Sequence, residues 1–270
     1  MSAGAVFQEA LRALRRHTLP QEAERDVLVA LEAGRPGPLA LLYAAGTEAG
    51  LGREVLLRRA AGLFFCACAA NLADDLADGE CTYFAEPLRV GPGVQFALQS
   101  LCFATLARAE VAAPVLAEAA SAMVTAAGLQ GLEVHTPTWT APDYQRVAEG
   151  IAGAQWALYL RVLWEGTALA ERAAALGRAL GVAAHVAEDI RSGDTRFHGM
   201  PEEDRREVLK WAQEAATTVG AEGLTSLDAV LRTVEPVLTT FPSPTGLKNA
   251  HAEGEREQGE SRREGARRAR

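Results

Sequence analysis

The sequence has no zinc pattern, no secretory leader and no unbroken apolar run of membrane length. Its four cysteines, Cys66, Cys68, Cys81 and Cys102, lack metal-ligand spacing. Cys66 and Cys68 are two apart and diverge on a helix. A reduced, cytoplasmic protein is therefore expected. Glu9, Arg12, Arg15 and Arg16 arrive too early for the apolar core of a signal peptide. The longest uncharged run, Val90 to Ala107, is interrupted by Gly91, Pro92, Gly93, Gln95, Gln99 and Ser100. It reads as a buried helix, and no membrane span is expected. A basic excess is missing too. The net charge of −8 argues against a nucleic-acid or anionic-membrane binder. β-Branched residues are few, and no repeat of about 20–50 residues is found.

Alanine is abundant, and apolar residues recur at 3–4 spacing, which predicts an almost wholly helical chain. With 49% hydrophobic residues, 270 residues can bury a sizeable core. Helices are expected over about 4–18, 21–33, 38–49, 53–78, 93–109, 112–132, 142–165, 168–192, 202–219 and 224–239. Arg35-Pro36-Gly37-Pro38 is a turn, and residues 82–92 read as a loop. These elements form one expected domain over residues 1–241. From Pro242 the composition changes. His251 to Arg270 carries five glutamates and six arginines and no large apolar residue. Such a tail has nothing to bury, so residues 242–270 are expected to be disordered.

Asn71-Leu72-Ala73-Asp74-Asp75-Leu76-Ala77-Asp78-Gly79 sets three carboxylates at the end of a long apolar run. On a helix, Asp74 and Asp78 are four apart and Asp75 and Asp78 three apart, so the three can share a face. Gly79 reads as the helix stop. A helix C-terminus carries partial negative charge, so acids there need a compensating cation. A divalent metal is one answer; an acidic end facing water is the other. Glu188-Asp189-Ile190-Arg191-Ser192-Gly193-Asp194 repeats the anomaly after an apolar helix. Two such ends side by side in a bundle can hold Mg2+, which takes carboxylates together with substrate phosphate oxygens. The metals would neutralise a departing diphosphate. The cavity below would be apolar. Phe64, Phe65, Phe103, Trp156, Tyr159 and Trp164 are candidates for its wall, with ordinary core packing as their other role.

Together these residues resemble a family. Over roughly residues 30–205 the chain looks like the trans-isoprenyl diphosphate synthases (polyprenyl synthetases) and, more broadly, the class I terpenoid synthases. Asp74 to Asp78 matches the first aspartate-rich motif, DDxxD, in full. Gly181 to Asp189 resembles the second, GxxxQxxDDxxD, with His185 for Gln, Glu188 for the first Asp and Ser192 for the last. Gln130-Gly131-Leu132-Glu133 resembles the GQxxD step, and Gly34 to Leu39 a worn GGKRxRP segment. The resemblance implies a single all-α bundle around a central apolar cavity, three Mg2+ ions and a homodimer. It makes Asp74, Asp75 and Asp189 the catalytic carboxylates. Asp74, Asp75 and Asp78 would bind two metals; Asp189, with Glu188 and Ser192, would bind a third. Gln130 and His185 would face the substrate.

The departures bear on the reaction. Chain-elongating members hold isopentenyl diphosphate with cations of the GKRxRP segment, a His on the DDxxD helix and an Arg pair after it. Here only Arg35 is kept, Ala67 stands at the His position, and Gly79 to Phe84 contains no Arg. The family's Lys-Thr pair falls on Ala152-Gly153. A second diphosphate would lack compensating charge. The pattern therefore implies ionisation of an allylic isoprenyl diphosphate alone, followed by cyclisation or water quenching as in a terpene synthase. Asp189-Ile190-Arg191-Ser192 also resembles the start of the cyclase NSE motif, though Arg196 sits where its final Glu belongs. Condensation with isopentenyl diphosphate, and a non-catalytic subunit of such a synthase, are the alternatives. Arg146, Arg191 and Arg196 are candidate diphosphate ligands, with exposed ion pairing as their plainer role. Ala69 and Ala70, just before DDxxD, imply a pocket deep enough for a C15 or C20 chain, floored by Phe64 and Phe65.

Overall fold

The computed structural model describes residues 3–35 and 38–241, without the side chains of residues 133 and 134. The expected tail over 242–270, and Pro36 and Gly37 of the expected turn, lie outside these residues. Every regular element among the described residues is helical, with no strand among them. The helices are α1 (Ala3–Leu14), α2 (Gln21–Ala33), α3 (Leu39–Glu48), α4 (Arg53–Ala77), α5 (Pro87–Arg108) and α6 (Ala113–His135). The second half comprises α7 (Ala141–Ala148), α8 (Ala154–Trp164), α9 (Ala173–Ser192), α10 (Thr195–His198), α11 (Glu202–Gly220) and α12 (Thr225–Thr240).

α4 is the axis of the bundle. Its residues from Ala60 to Ala69 are all buried, as a helix without a polar face must be. Helices α1, α3, α5 and α8 pack around it. α9 lies at close range against α8 and the turn before it, because Gly177 and Gly181 leave the space. A Cβ at Gly177 would stand 2.4 Å from the Trp156 carbonyl oxygen, and one at Gly181 2.4 Å from that of Ala152. One apolar cluster then runs through the bundle, from Val6 on α1 to Leu238 on α12.

Four expectations are corrected by the structure. The first helix ends at Leu14 rather than near residue 18, where tight turns take over: the Arg16 and His17 N–H groups reach back only three residues. α5 begins at Pro87, inside the expected loop; proline is at home in a first helical turn, where its missing N–H has no partner to lose. The expected helix over 142–165 is two helices joined by a π-helical turn, Glu149–Gly153. The expected burial of the run from Val90 holds for one face only. Leu88 and Phe96 on α5 are 80% and 72% exposed, and Val124 on α6 is 74% exposed. By length and composition alone, α4, α5 and α6 are each long and apolar enough to cross a membrane. α4 buries most of that surface inside the bundle, whereas α6 buries little of it.

Candidate active site

Both acidic helix ends are closed by the same local device. After α4, the Glu80 N–H returns to the Asp75 carbonyl at 2.8 Å; after α9, the Asp194 N–H returns to the Asp189 carbonyl at 2.9 Å. Each closure needs a left-handed residue, supplied by Gly79 (φ 73°) and Gly193 (φ 76°). The glycines thus stop the two helices directly behind their acids.

The two ends meet at one cavity of about 290 Å³. Asp74 of α4, Glu188 and Asp189 of α9, and Arg196 of α10 form its polar mouth, with Gln130 and His185. Below them the wall is mostly small and aliphatic: Ala69, Ala70 and Ala73 on α4, Ala122 and Met123 on α6, Leu158 on α8. Cys66 lies deepest on α4, two turns or about 12 Å below Asp74. Four amides interrupt the apolar wall besides Gln130: Asn71 from α4, Gln95 and Gln99 from α5 and Gln155 from α8.

The acids differ in their partners. Asp74 Oδ1 accepts from Gln130 Nε2 at 3.2 Å. Burial and then the neighbouring Asp78 raise its pKa, partly offset by Arg196. Asp75 faces elsewhere: its Oδ2 accepts from the Tyr83 hydroxyl at 2.9 Å, and it does not line the cavity. The helix explains the split, since Asp75 is rotated about 100° from Asp74 while Asp78 is on Asp74's side. Asp189 is buried, and its Oδ2 accepts from the Tyr144 hydroxyl at 2.6 Å. His185 Nε2 lies 3.6 Å from the same oxygen. Ser192 turns its hydroxyl to the Asp189 carbonyl, at 3.4 Å.

The three candidate arginines separate. Arg196 reaches the mouth, where Asp194 grips it through Nε at 2.9 Å and a terminal nitrogen at 2.6 Å. Burial pushes the Asp194 pKa up, but the Arg196 hydrogen bond and charge outweigh it and hold it low. Arg191 is paired with Glu188 and donates to the Thr233 carbonyl of α12 at 3.3 Å. Arg146 is exposed and not part of the cavity wall.

The aromatic wall expected from sequence is absent among the described residues. Phe64, Phe65 and Trp164 are fully buried in the core, and Tyr159 nearly so. Phe103 and Trp156 are half-buried against that core, outside the cavity. Apolar periodicity marks such residues as inside but does not tell core from cavity. Nothing in the sequence gives a site role to Tyr144 or Gln155, while Asp194 stands there only as the end of the second acidic stretch and Gln95 and Gln99 only as interruptions of an apolar run. The one local signal near Tyr144 is the N-terminus of α7, where the Thr140 hydroxyl accepts the Asp143 N–H.

Among the described residues, no three His, Cys, Asp or Glu side chains form a ready metal cage. Mg2+ does not need one, since it binds through one or two carboxylates plus substrate phosphate oxygens and waters. Asp74, Glu188 and Asp189 at one mouth fit that demand. Burial, and then Asp78, disfavour the ionised form of Asp74, a cost that a cation held there would offset.

No family model matches the sequence, and no curated protein matches it. Solved structures do. The fold is similar to a geranyltranstransferase from Thermotoga maritima, with TM-score 0.69, 18% identity, and coverage of 87% of this chain and 96% of that one. An isoprenoid synthase family member from Thermotoga neapolitana gives TM-score 0.70 at 17% identity, covering 86% and 98%. A geranylgeranyl pyrophosphate synthetase from the archaeon Geoglobus acetivorans gives 0.66 at 11%, covering 87% and 95%. The chain therefore has the helical-bundle fold of the isoprenoid synthases.

Proposed function

We propose that this protein acts on an allylic isoprenyl diphosphate and transfers its prenyl group, as an enzyme of the isoprenyl diphosphate synthase type. One observation carries the reading: two acidic helix ends, Asp74 and Glu188–Asp189, meet at the mouth of a cavity walled mainly by aliphatic side chains. The mouth suits a charged head and the wall a C15 or C20 hydrocarbon tail. Structures of similar fold, a geranyltranstransferase and a geranylgeranyl pyrophosphate synthetase, favour transfer over the cyclase-like reaction that the missing cations imply. The wall favours it as well. No Phe, Tyr or Trp among the described residues lines it, so its apolar part offers no such π face to a cation migrating through ring closure.

Asp74, Glu188 and Asp189 would hold Mg2+, with Asp78 on the same side of α4. A Mg2+ ion held by these carboxylates would supply positive charge to offset that of the departing diphosphate. Arg196, oriented by Asp194, offers guanidinium donors to the same head. The allylic C–O bond would break with its electron pair departing on the diphosphate; the double bond of isopentenyl diphosphate would then attack the cation, forming the new C–C bond and losing a proton to the released diphosphate. The alanine-lined wall keeps water from the carbon left behind.

A second reading rests on the cations. Arg35, retained from the isopentenyl-binding segment, is engaged elsewhere: its guanidinium lies 4.7 Å from the Phe7 ring centroid and 3.2 Å from Glu32. Arg196 is the one Lys or Arg in the described cavity wall. On this reading the allylic diphosphate is the sole charged substrate, and water among Gln95, Gln99 and Gln155 captures the cation. We also propose a homodimer, formed through the open apolar faces of α5 and α6, and a cytoplasmic location, consistent with four buried free cysteines.

The test incubates the protein and Mg2+ with geranyl, farnesyl or geranylgeranyl diphosphate, each with and without isopentenyl diphosphate. Longer diphosphates formed only with isopentenyl diphosphate support transfer. Hydrocarbon or alcohol from the allylic substrate alone supports the second reading. No product in any arm, with no diphosphate binding, leaves a non-catalytic subunit.

A further inference from the structure

Asp189 is a carboxylate with 5% of its surface exposed, placed at the edge of a cavity. Burying such a group is costly unless hydrogen bonds hold it. The bond it receives comes from outside both acidic motifs, across the bundle from α7. The Tyr144 hydroxyl donates to Oδ2 at 2.6 Å, well within the range of a strong charge-assisted bond.

Tyr144 itself is fixed on every side. Its ring meets Trp139 edge-on at 6.4 Å and Phe197 edge-on at 6.0 Å, and lies 5.8 Å from the His185 ring. α7 is anchored in turn, since the Ala141 N–H donates to Asp204 of α11 at 3.2 Å. An ordinary phenol keeps its proton at neutral pH, so Tyr144 serves as the donor. The other tyrosine–aspartate pair, Tyr83 with Asp75, has the same chemistry but lies off the cavity. The molecule thus contains both the device and its control.

We propose that Tyr144 is a positioning residue: it fixes the Asp189 carboxylate in one orientation for a divalent cation at the mouth. This rests on the reading that the mouth binds Mg2+. Tyr144 touches neither the cation nor the substrate and acts through Asp189 alone. Partners of this kind typically set metal affinity by about 10–100-fold.

The test is Mn2+ titration of the full-length protein with inorganic diphosphate present, following the free-Mn2+ electron paramagnetic resonance signal. Tyr144→Phe is expected to raise the Mn2+ Kd about 10-fold or more, and Tyr83→Phe to leave it within about 2-fold. In an Asp189→Asn background, Tyr144→Phe should have no further effect, which a general loss of packing would not reproduce. Phe197→Leu, which loosens the ring but keeps the hydroxyl, should stay within about 2-fold and so separates packing from donation. An unchanged Kd in Tyr144→Phe, or an equal loss in the Asp189→Asn background, overturns the proposal. Failure of the unsubstituted protein to bind Mn2+ would instead overturn the metal reading of the mouth.

Discussion

Gln130 Nε2 on α6 donates to Asp74 Oδ1 on α4 at 3.2 Å, tying two separate stretches of sequence at the cavity mouth. Asp74 also carries a raised pKa, from burial first and Asp78 second. Its ionised form is therefore disfavoured by folding when no cation is present. The resulting destabilisation is full above the raised value and fades as pH falls through it towards the ordinary one. Asp74→Asn should raise the metal-free thermal midpoint at pH 7 and not in acid. It should also lower Mg2+-dependent turnover more than about 100-fold. Calorimetry against pH and a diphosphate-release assay read the two effects.

Asp194 has the opposite sign. Its pKa is held down by Arg196 against the upward push of burial. The stability it contributes is present above the unfolded value, about 3.9, and is lost as pH falls through the lower folded one. Asp194→Asn should depress the thermal midpoint at pH 6, with the difference from the unsubstituted protein shrinking below about pH 3.9. It should also raise KM for the allylic diphosphate more than it changes kcat, because Arg196 loses its orientation.

Ala69 and Ala70 both face the cavity. Phe at either position fills space that the distal end of a prenyl chain needs. Ala69→Phe should shift preference from C20 and C15 towards C10 substrates by about 10-fold or more, since each lost methylene contact is worth about 1 kcal/mol. Competition between the three diphosphates measures it; an unchanged preference counts against a tail lying along α4.

Gly181 is a test of packing alone. A methyl group there meets backbone atoms of Ala152 and Gly153 on the facing turn, which have no rotamer to yield. Gly181→Ala should cost about 3 kcal/mol, at the upper end for overpacked cores. Urea denaturation gives the number.

Leu88, Phe96 and Val124 present apolar side chains on helices that also wall the cavity. If a second copy covers them, Phe96→Glu with Val124→Glu should convert a dimer to a monomer in analytical ultracentrifugation. A monomer before substitution would remove the proposed dimer.

Much of the bundle is legible from local chemistry. The apolar run of α4, its aspartates and the stop at Gly79 are all encoded within a few turns, as is the matching end of α9. The fate of each acid is not. Asp74 and Asp75 are adjacent in sequence, yet one meets Gln130 at the mouth and the other Tyr83 outside it. Phe65 and Ala69 show the same limit. Both are inward residues of one helix, and only the neighbouring helices decide that one packs in the core while the other borders empty space. Tyr144 carries no motif at all, because its meaning is a contact with a residue far along the chain.

The π-helical turn at Glu149–Gly153 works as a spacer that keeps two helices in step. It is a wide turn within what would otherwise be a continuous helix from Ala141 to Trp164. Such a turn takes one residue more than an α-helical turn for about the same rotation. Deleting one of its residues should therefore leave α7 close to its present angle on α8, with Tyr144 still on Asp189. Deleting a residue from the regular winding beyond it would instead rotate α7 by about 100° and carry Tyr144 away. The grip on the carboxylate thus has slack built in at this one turn.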